Sequence, residues 1–170
     1  MLTIAEAIEE IAFRLGDVPR ARHSHFVGFA MQRMAAYLGE DATLWELTGL
    51  CHDLDFDATR ETPHRHGPLA AEWLEGRLPP EALLAIASHD HRAGLTCGLP
   101  ICMALKAADA LAVVAEGLAA PVLPTQVELD RVFEKRPWLV PLMVENAERL
   151  SIPYALLSDI LAQSGYETPA

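Results

Sequence analysis

The chain predicts an all-α fold, and three observations carry that prediction. Apolar residues recur at intervals of three and four along nine segments, the period of helices with one buried face. A series of helix breakers punctuates those segments: Gly39, Gly76, Pro79, Gly94, Gly98, Pro100, Pro121, Pro124, Pro137 and Pro153. No run shows the strict apolar-polar alternation of a half-buried strand, and no internal repeat or low-complexity stretch is visible.

In chain order, the first helix is predicted near residues 3–15, where acidic residues interrupt the apolar ones. A second, near 20–38, carries Val27, Ala30, Met34 and Leu38 on one face at about 100° per residue. His23 falls on that stripe one turn earlier and points inward; His25 lies well around the helix and faces water. The third, near 43–54, is capped by Asp41 or Thr43 and is apolar around most of its circumference through Leu44, Leu47, Leu50, Cys51 and Leu54. A polar stretch over 55–66, broken by Pro63, reads as a loop at the edge of a site. Helices near 67–77 and 80–91 follow, and then one near 99–118 with a stripe of Ile101, Leu105, Ala108, Ala112 and Ala115. The tract 119–125 reads as a longer loop, before helices near 126–134, 138–150 and 153–163. Trp138, Leu139, Val140 and Met143 form either a self-association face, giving a homodimer, or ordinary core.

Composition bounds the classes of function. A chain of 170 residues, 51% hydrophobic and 22% charged, supports one core, so residues 1–170 are read as a single domain. A formal net charge of −11 argues against broad nucleic-acid binding or an anionic membrane surface, while leaving room for a small anion in a local basic pocket. The N-terminus lacks the basic start and apolar run of a signal peptide, and no apolar stretch approaches the roughly 20 residues that span a bilayer, so a cytoplasmic location is expected. Cys51, Cys97 and Cys102 are odd in number and include no CxxC pair, which predicts reduced thiols, with Cys51 and Cys102 in the core.

Titratable residues break the apolar pattern at three places. The stretch GLCHDLDFD, residues 49–57, places His52 and Asp53 at the buried end of the third helix, where adjacent side chains diverge by roughly 100°. Asp109 borders the apolar stripe of its helix one turn after Leu105, and a desolvated carboxylate needs a cation or a hydrogen-bonding partner. His23 is the third.

The order R-H-S, G-L-x-H-D-L-D-F, H-G at a helix start, A-I-x-x-H and K-A-A-D-A-L resembles the HD-domain superfamily of metal-dependent phosphohydrolases, most of all its small single-domain bacterial members. The match runs from about Arg20 to Leu111. The resemblance implies an HD-like orthogonal helical bundle, with a metal-site core over about 20–118 and accessory helices over about 126–163.

Carried over by position, the resemblance places the ligands of one divalent cation on His23, His52, Asp53 and Asp109. A second cation would use His66 and His89, with Asp53 bridging; His64 and His91 are near alternatives, and periodicity does not choose between His89 and His91. Such a set suits manganese, iron, cobalt, nickel or zinc. The implied activity is hydrolysis of a phosphate ester or anhydride in a small molecule, a nucleotide for instance, by a metal-bound hydroxide.

Lys106, Arg60, Arg65 and Arg92 are the cations expected to meet substrate phosphate, with Lys106 one turn before Asp109. Arg20 or Arg22 is placed to hold an acidic group near the metal. Asp57 and Asp55 follow the HD pair closely enough to act as general acid or to orient a metal ligand, although the ordinary reading of both as solvated helix-terminal and loop groups is the stronger one. The glycine-lysine that often follows the HD pair in signalling members is replaced here by Asp55 and Phe56, which disfavours cyclic-dinucleotide phosphodiesterase activity. Two other classes share the pattern: HD-type di-iron oxygenases, and HD modules that bind a metal or ligand without turnover.

Overall fold

The computed structural model describes residues 1–16, 19–118 and 122–165. Among these residues there is no strand. The elements are α1 (Ile4–Leu15), α2 (Pro19–Leu38), α3 (Ala42–Cys51), α4 (Pro68–Trp73), α5 (Pro80–Ser88), α6 (Pro100–Gly117), α7 (Gln126–Val132), α8 (Leu139–Arg149) and α9 (Tyr154–Gln163), with single 3-10 turns at Pro63–Arg65 and His91–Ala93. No helix among the described residues is long and apolar enough to cross a membrane.

Local chemistry sets the helix ends. Thr3 and Glu6 form a reciprocal capping box on α1, and Thr125 and Glu128 repeat it on α7. The Asp41 carboxylate accepts from the Leu44 backbone N–H and starts α3. Proline opens α2, α4, α5 and α6, where its missing N–H costs no intrahelical bond. Helices α3, α4 and α5 end sooner than the apolar pattern extends. His52 and His89 consequently sit as the residues just past α3 and α5, still in helical backbone conformation and with both rings buried.

One hydrophobic core runs through the described chain, from Leu2 on the N-terminal side to Leu161 in α9. At its centre α6 packs against α2, α5 and α8, and α2 packs closely along α3. That closeness is glycine-dependent: a Cβ on Gly49 would lie 2.7 Å from the Val27 carbonyl oxygen and 2.8 Å from the Gly28 Cα. On α6 the small side chains of Ala104, Ala107, Ala108, Ala110 and Ala112 are buried and let the neighbouring helices approach its backbone.

One expectation is corrected. Cys97 and Cys102 are disulfide-bonded rather than reduced: the bend before Pro100 brings the loop cysteine back over the first turn of α6, with a Cα–Cα distance of 6.0 Å. Cys51 remains a free thiol in the core, and burial pushes its pKa up to about 12, so it stays protonated. Of the group read as either a self-association face or ordinary core, Leu139, Val140 and Met143 are core residues, and Trp138 is exposed at 58%. Residues 119–121 of the tract read as a longer loop lie outside the described residues.

Candidate metal centre

Five segments deliver ligand-type side chains to one place. His23 comes from the first turns of α2, His52 and Asp53 from the end of α3, His66 from the turn before α4, His89 from the end of α5, and Asp109 from the middle of α6. Gly67 brings two of these together. Its φ of +88° lies in the left-handed region, and a Cβ there would sit 2.6 Å from the Ile86 carbonyl and 3.2 Å from the His89 ring, so only glycine lets the start of α4 approach the end of α5.

Each imidazole is tied from behind through Nδ1. His52 Nδ1–H donates to the Gly49 carbonyl and His89 Nδ1–H to the Ile86 carbonyl, both at 2.7 Å. His66 Nδ1–H donates to Asp55 at 2.8 Å, and His23 Nδ1–H to Glu116 at 3.1 Å. These bonds fix the tautomer and leave every Nε2 directed at the centre. Around Asp53 the geometry is tight: Oδ1 lies 3.2 Å from His66 Nε2, 3.4 Å from His52 Nε2 and 3.5 Å from His89 Nε2. Its Oδ2 lies 3.9 Å from His23 Nε2, and His23 Nε2 is in turn 3.0 Å from Asp109 Oδ1.

The donor set fits a divalent cation. His52 Nε2 is buried and makes no hydrogen bond, so an unused lone pair faces the middle of the cluster. The ligand atoms form two overlapping groups close enough to hold an ion, His23–His52–Asp109 and His52–Asp53–His89. All six donors are imidazole nitrogen or carboxylate oxygen, which suits first-row divalent metals.

Electrostatics follow from burying carboxylates among imidazoles. Burial opposes charge on His23, yet hydrogen bonds to Asp109 and Glu116 outweigh it and push the ring up to about 10. His66 behaves likewise, its bonds to Asp53 and Asp55 overcoming burial to push it up to about 9, and Asp53 raises His89 against the same opposition. Burial wins only at His52, which falls to about 4 despite the pull of Asp53. Burial also works against the charged carboxylates, but the surrounding imidazoles hold Asp53 well below the usual range, and His23 first among them holds Asp109 below it.

With this geometry in view, the comparison with known families is decisive: a family model described as HD domain matches residues 20–113. The chain belongs to the HD-domain family. That is the superfamily of metal-dependent phosphohydrolases whose motif order the sequence resembles. The crystal structure of the HD domain of the L. monocytogenes phosphodiesterase PgpH superposes on 91% of this chain and 94% of its own, with a TM-score of 0.56 at 13% sequence identity, a likeness of fold. No curated protein matches the chain.

Within this HD domain the remaining candidates separate clearly. His89 lies in the cluster, whereas the His91 side chain is 92% exposed and pairs loosely with Asp90; His64 is exposed on its 3-10 turn. Of the expected cations, Lys106 and Arg92 line a cavity of about 620 Å³ that opens beside His89 and Asp109, while Arg60 and Arg92 line a smaller one of about 190 Å³ beside His66 and Phe56. Arg65 is corrected: both its terminal nitrogens are turned onto Glu72 of α4. Asp57 is corrected too, because it is exposed and ion-paired with Arg60 rather than directed at the cluster.

Three further residues complete the site. Asp55 is fully buried rather than solvated and takes the orienting place offered for it behind His66; it also accepts from the Gly67 and Ala70 backbone N–H groups at 2.8 and 3.1 Å and so holds the start of α4. Arg20 is the flanking arginine that meets an acid: its Nη1 donates to Asp53 Oδ2 at 3.0 Å while its guanidinium lies 3.8 Å from the centre of the Phe56 ring. Glu116 behind His23 escaped the sequence reading. It lies seven residues after Asp109 on the same helix, two turns along the same face, and that spacing was its available signal.

Proposed function

We propose that this HD domain is a metal-dependent phosphohydrolase acting on a phosphate ester or anhydride of a small molecule, with nucleotides the first class to test. One observation supports this above the others: four Nε2 atoms and two carboxylates converge beside a cavity whose rim carries Lys106 and Arg92. His23, His52, Asp53 and Asp109 would hold one divalent cation, and His66 and His89, sharing Asp53, a second. A bound manganese, iron, cobalt, nickel or zinc ion would supply Lewis acidity toward a phosphoryl oxygen and lower the pKa of water.

The chain's own residues do the rest by positioning and charge. Arg20 holds the second oxygen of Asp53, so the first stays directed at His52, His66 and His89. Lys106, one turn from Asp109, ion-pairs with none of the described residues and is available to a phosphoryl oxygen. In the overall reaction the oxygen of water joins phosphorus, the P–O bond to the leaving group breaks, and the departing oxygen gains a proton. The cationic rim favours this chemistry over oxygenase chemistry, which has no call for phosphate-binding cations unless its substrate is itself a phosphonate.

The test is phosphate release by protein stripped with a chelator and reloaded with each cation in turn, on nucleoside monophosphates, p-nitrophenyl phosphate and pyrophosphate. Release that depends on the cation and disappears in Asp53→Asn is expected. No release with any cation would overturn the proposal, and oxygen consumption by iron-loaded protein would favour the oxygenase.

A further inference from the structure

The cavity of about 620 Å³ beside the metal centre has two unlike walls. One is made by His89, Lys106 and Asp109 and joins the ligand cluster. The other comes from the accessory helix α8 and its leading residue: Trp138 and, one turn on, Leu142. Trp138 is 58% exposed while its neighbours Leu139 and Val140 are buried to 0% and 2%, so the packing of α8 onto α6 does not need the indole. A large apolar ring left out of the core and lining a cavity that ends on a candidate catalytic centre has a surface to offer a ligand.

We infer that this cavity selects phosphorylated substrates whose leaving group carries a flat aromatic ring, which stacks on Trp138 while Lys106 and the metal centre take the phosphate. The inference rests on the phosphohydrolase reading and adds the substrate class. Phosphate and ring would lie at opposite ends of a space within the range of ordinary ligand sites. The two cations on the lining set the direction: Lys106 stands one turn from Asp109 and Arg92 follows His89, so the phosphate end is the metal-centre end, away from Trp138 and Leu142. A nucleobase and a nitrophenyl ring satisfy this chemistry equally; an aliphatic phosphate ester of similar charge does not, because it leaves the indole in water.

The metal-loaded full chain is assayed on two substrates with the same phosphate and different remainders, adenosine 5′-monophosphate and ribose 5-phosphate. Stacking of a base on an aromatic side chain predicts a preference in kcat/KM of about ten-fold or more for the nucleotide. In Trp138→Ala the ratio between the two substrates should fall toward one through KM, and Trp138→Phe should restore most of it. A readout independent of turnover is intrinsic fluorescence: adenosine 5′-monophosphate should quench emission of the native chain and fail to quench Trp138→Phe, in which Trp45 and Trp73 remain. Equal kcat/KM for the two substrates, or quenching that survives in Trp138→Phe, would overturn the inference. Quenching at Trp138 without phosphate release from any ester would instead overturn the phosphohydrolase reading and leave the ring-binding surface standing.

Discussion

The ligand cluster and the cationic rim beside it are held by different means. Each histidine of the cluster is buried and fixed from behind, by a backbone carbonyl at His52 and His89 and by a carboxylate at His23 and His66. The rim arginines are exposed and held by acids two or three residues away: Arg60 by Asp57 and Arg92 by Asp90. Backbone packing therefore dictates where the cluster's atoms lie, whereas the rim is held by side-chain pairs near the surface. The candidate ligand geometry is fixed by the fold, and the rim is fixed only by its side chains.

If that contrast holds, the largest effect comes from the residue the whole cluster surrounds. Asp53→Ala removes the carboxylate that approaches His52, His66 and His89, and metal content should fall well below one equivalent with activity down about 1,000-fold, on the order of 4 kcal/mol. Elemental analysis with a circular-dichroism check of the fold measures it; retention of full metal content would break the comparison. Next is Gly49→Ala, at a residue that supplies no ligand atom but whose carbonyl holds the His52 ring and whose missing Cβ allows the packing that sets the cluster. Its Cβ would meet the Val27 carbonyl at 2.7 Å, so a loss of about 1–3 kcal/mol in denaturant unfolding is expected. A stability equal to the native chain would show that α2 and α3 separate freely.

A smaller effect tests the support behind a ring. Asp55→Asn keeps an acceptor but loses the charge facing His66, and metal affinity measured by competition with a chelator should fall about 10- to 100-fold. The smallest lies outside the site, at a more exposed pair that sharpens the contrast with buried ones. The hydrogen bond from Arg77 holds the Glu10 carboxyl below its ordinary 4.5, so this pair contributes above that pH and its contribution is lost as pH falls through the depressed folded value. Arg77→Ala should cost under about 1 kcal/mol at neutral pH, and the difference from the native chain in urea unfolding should vanish in acid.

The same contrast explains what the sequence made legible. Helix periodicity placed the helices of the described chain and turned His23 inward, because burial and period are properties of local pattern. The convergence of His23, His52, Asp53, His66, His89 and Asp109 was legible only through the motif order of the HD family, whose model matches residues 20–113. What local pattern does not carry is where a loop folds back. Asp55 looked solvated because nothing near it in sequence shows that residues 66–70 return to it. Cys97 and Cys102 looked unpaired because their bridge depends on the bend into α6. The rim residues Asp57 and Arg65 were misjudged for the converse reason: each has a nearby group of opposite charge that satisfies it at the surface.

His23 and Asp109, joined at 3.0 Å, stand 86 positions apart in the chain. Closing so long a segment carries an entropic cost that is recovered only when α6 docks against α2. The pairing of α2 with α3 already brings His23 to within 3.9 Å of Asp53, but Asp109 joins them only when α6 docks. A cation held across both would tie the two packing events together, stabilising the native state by mass action and slowing its unfolding.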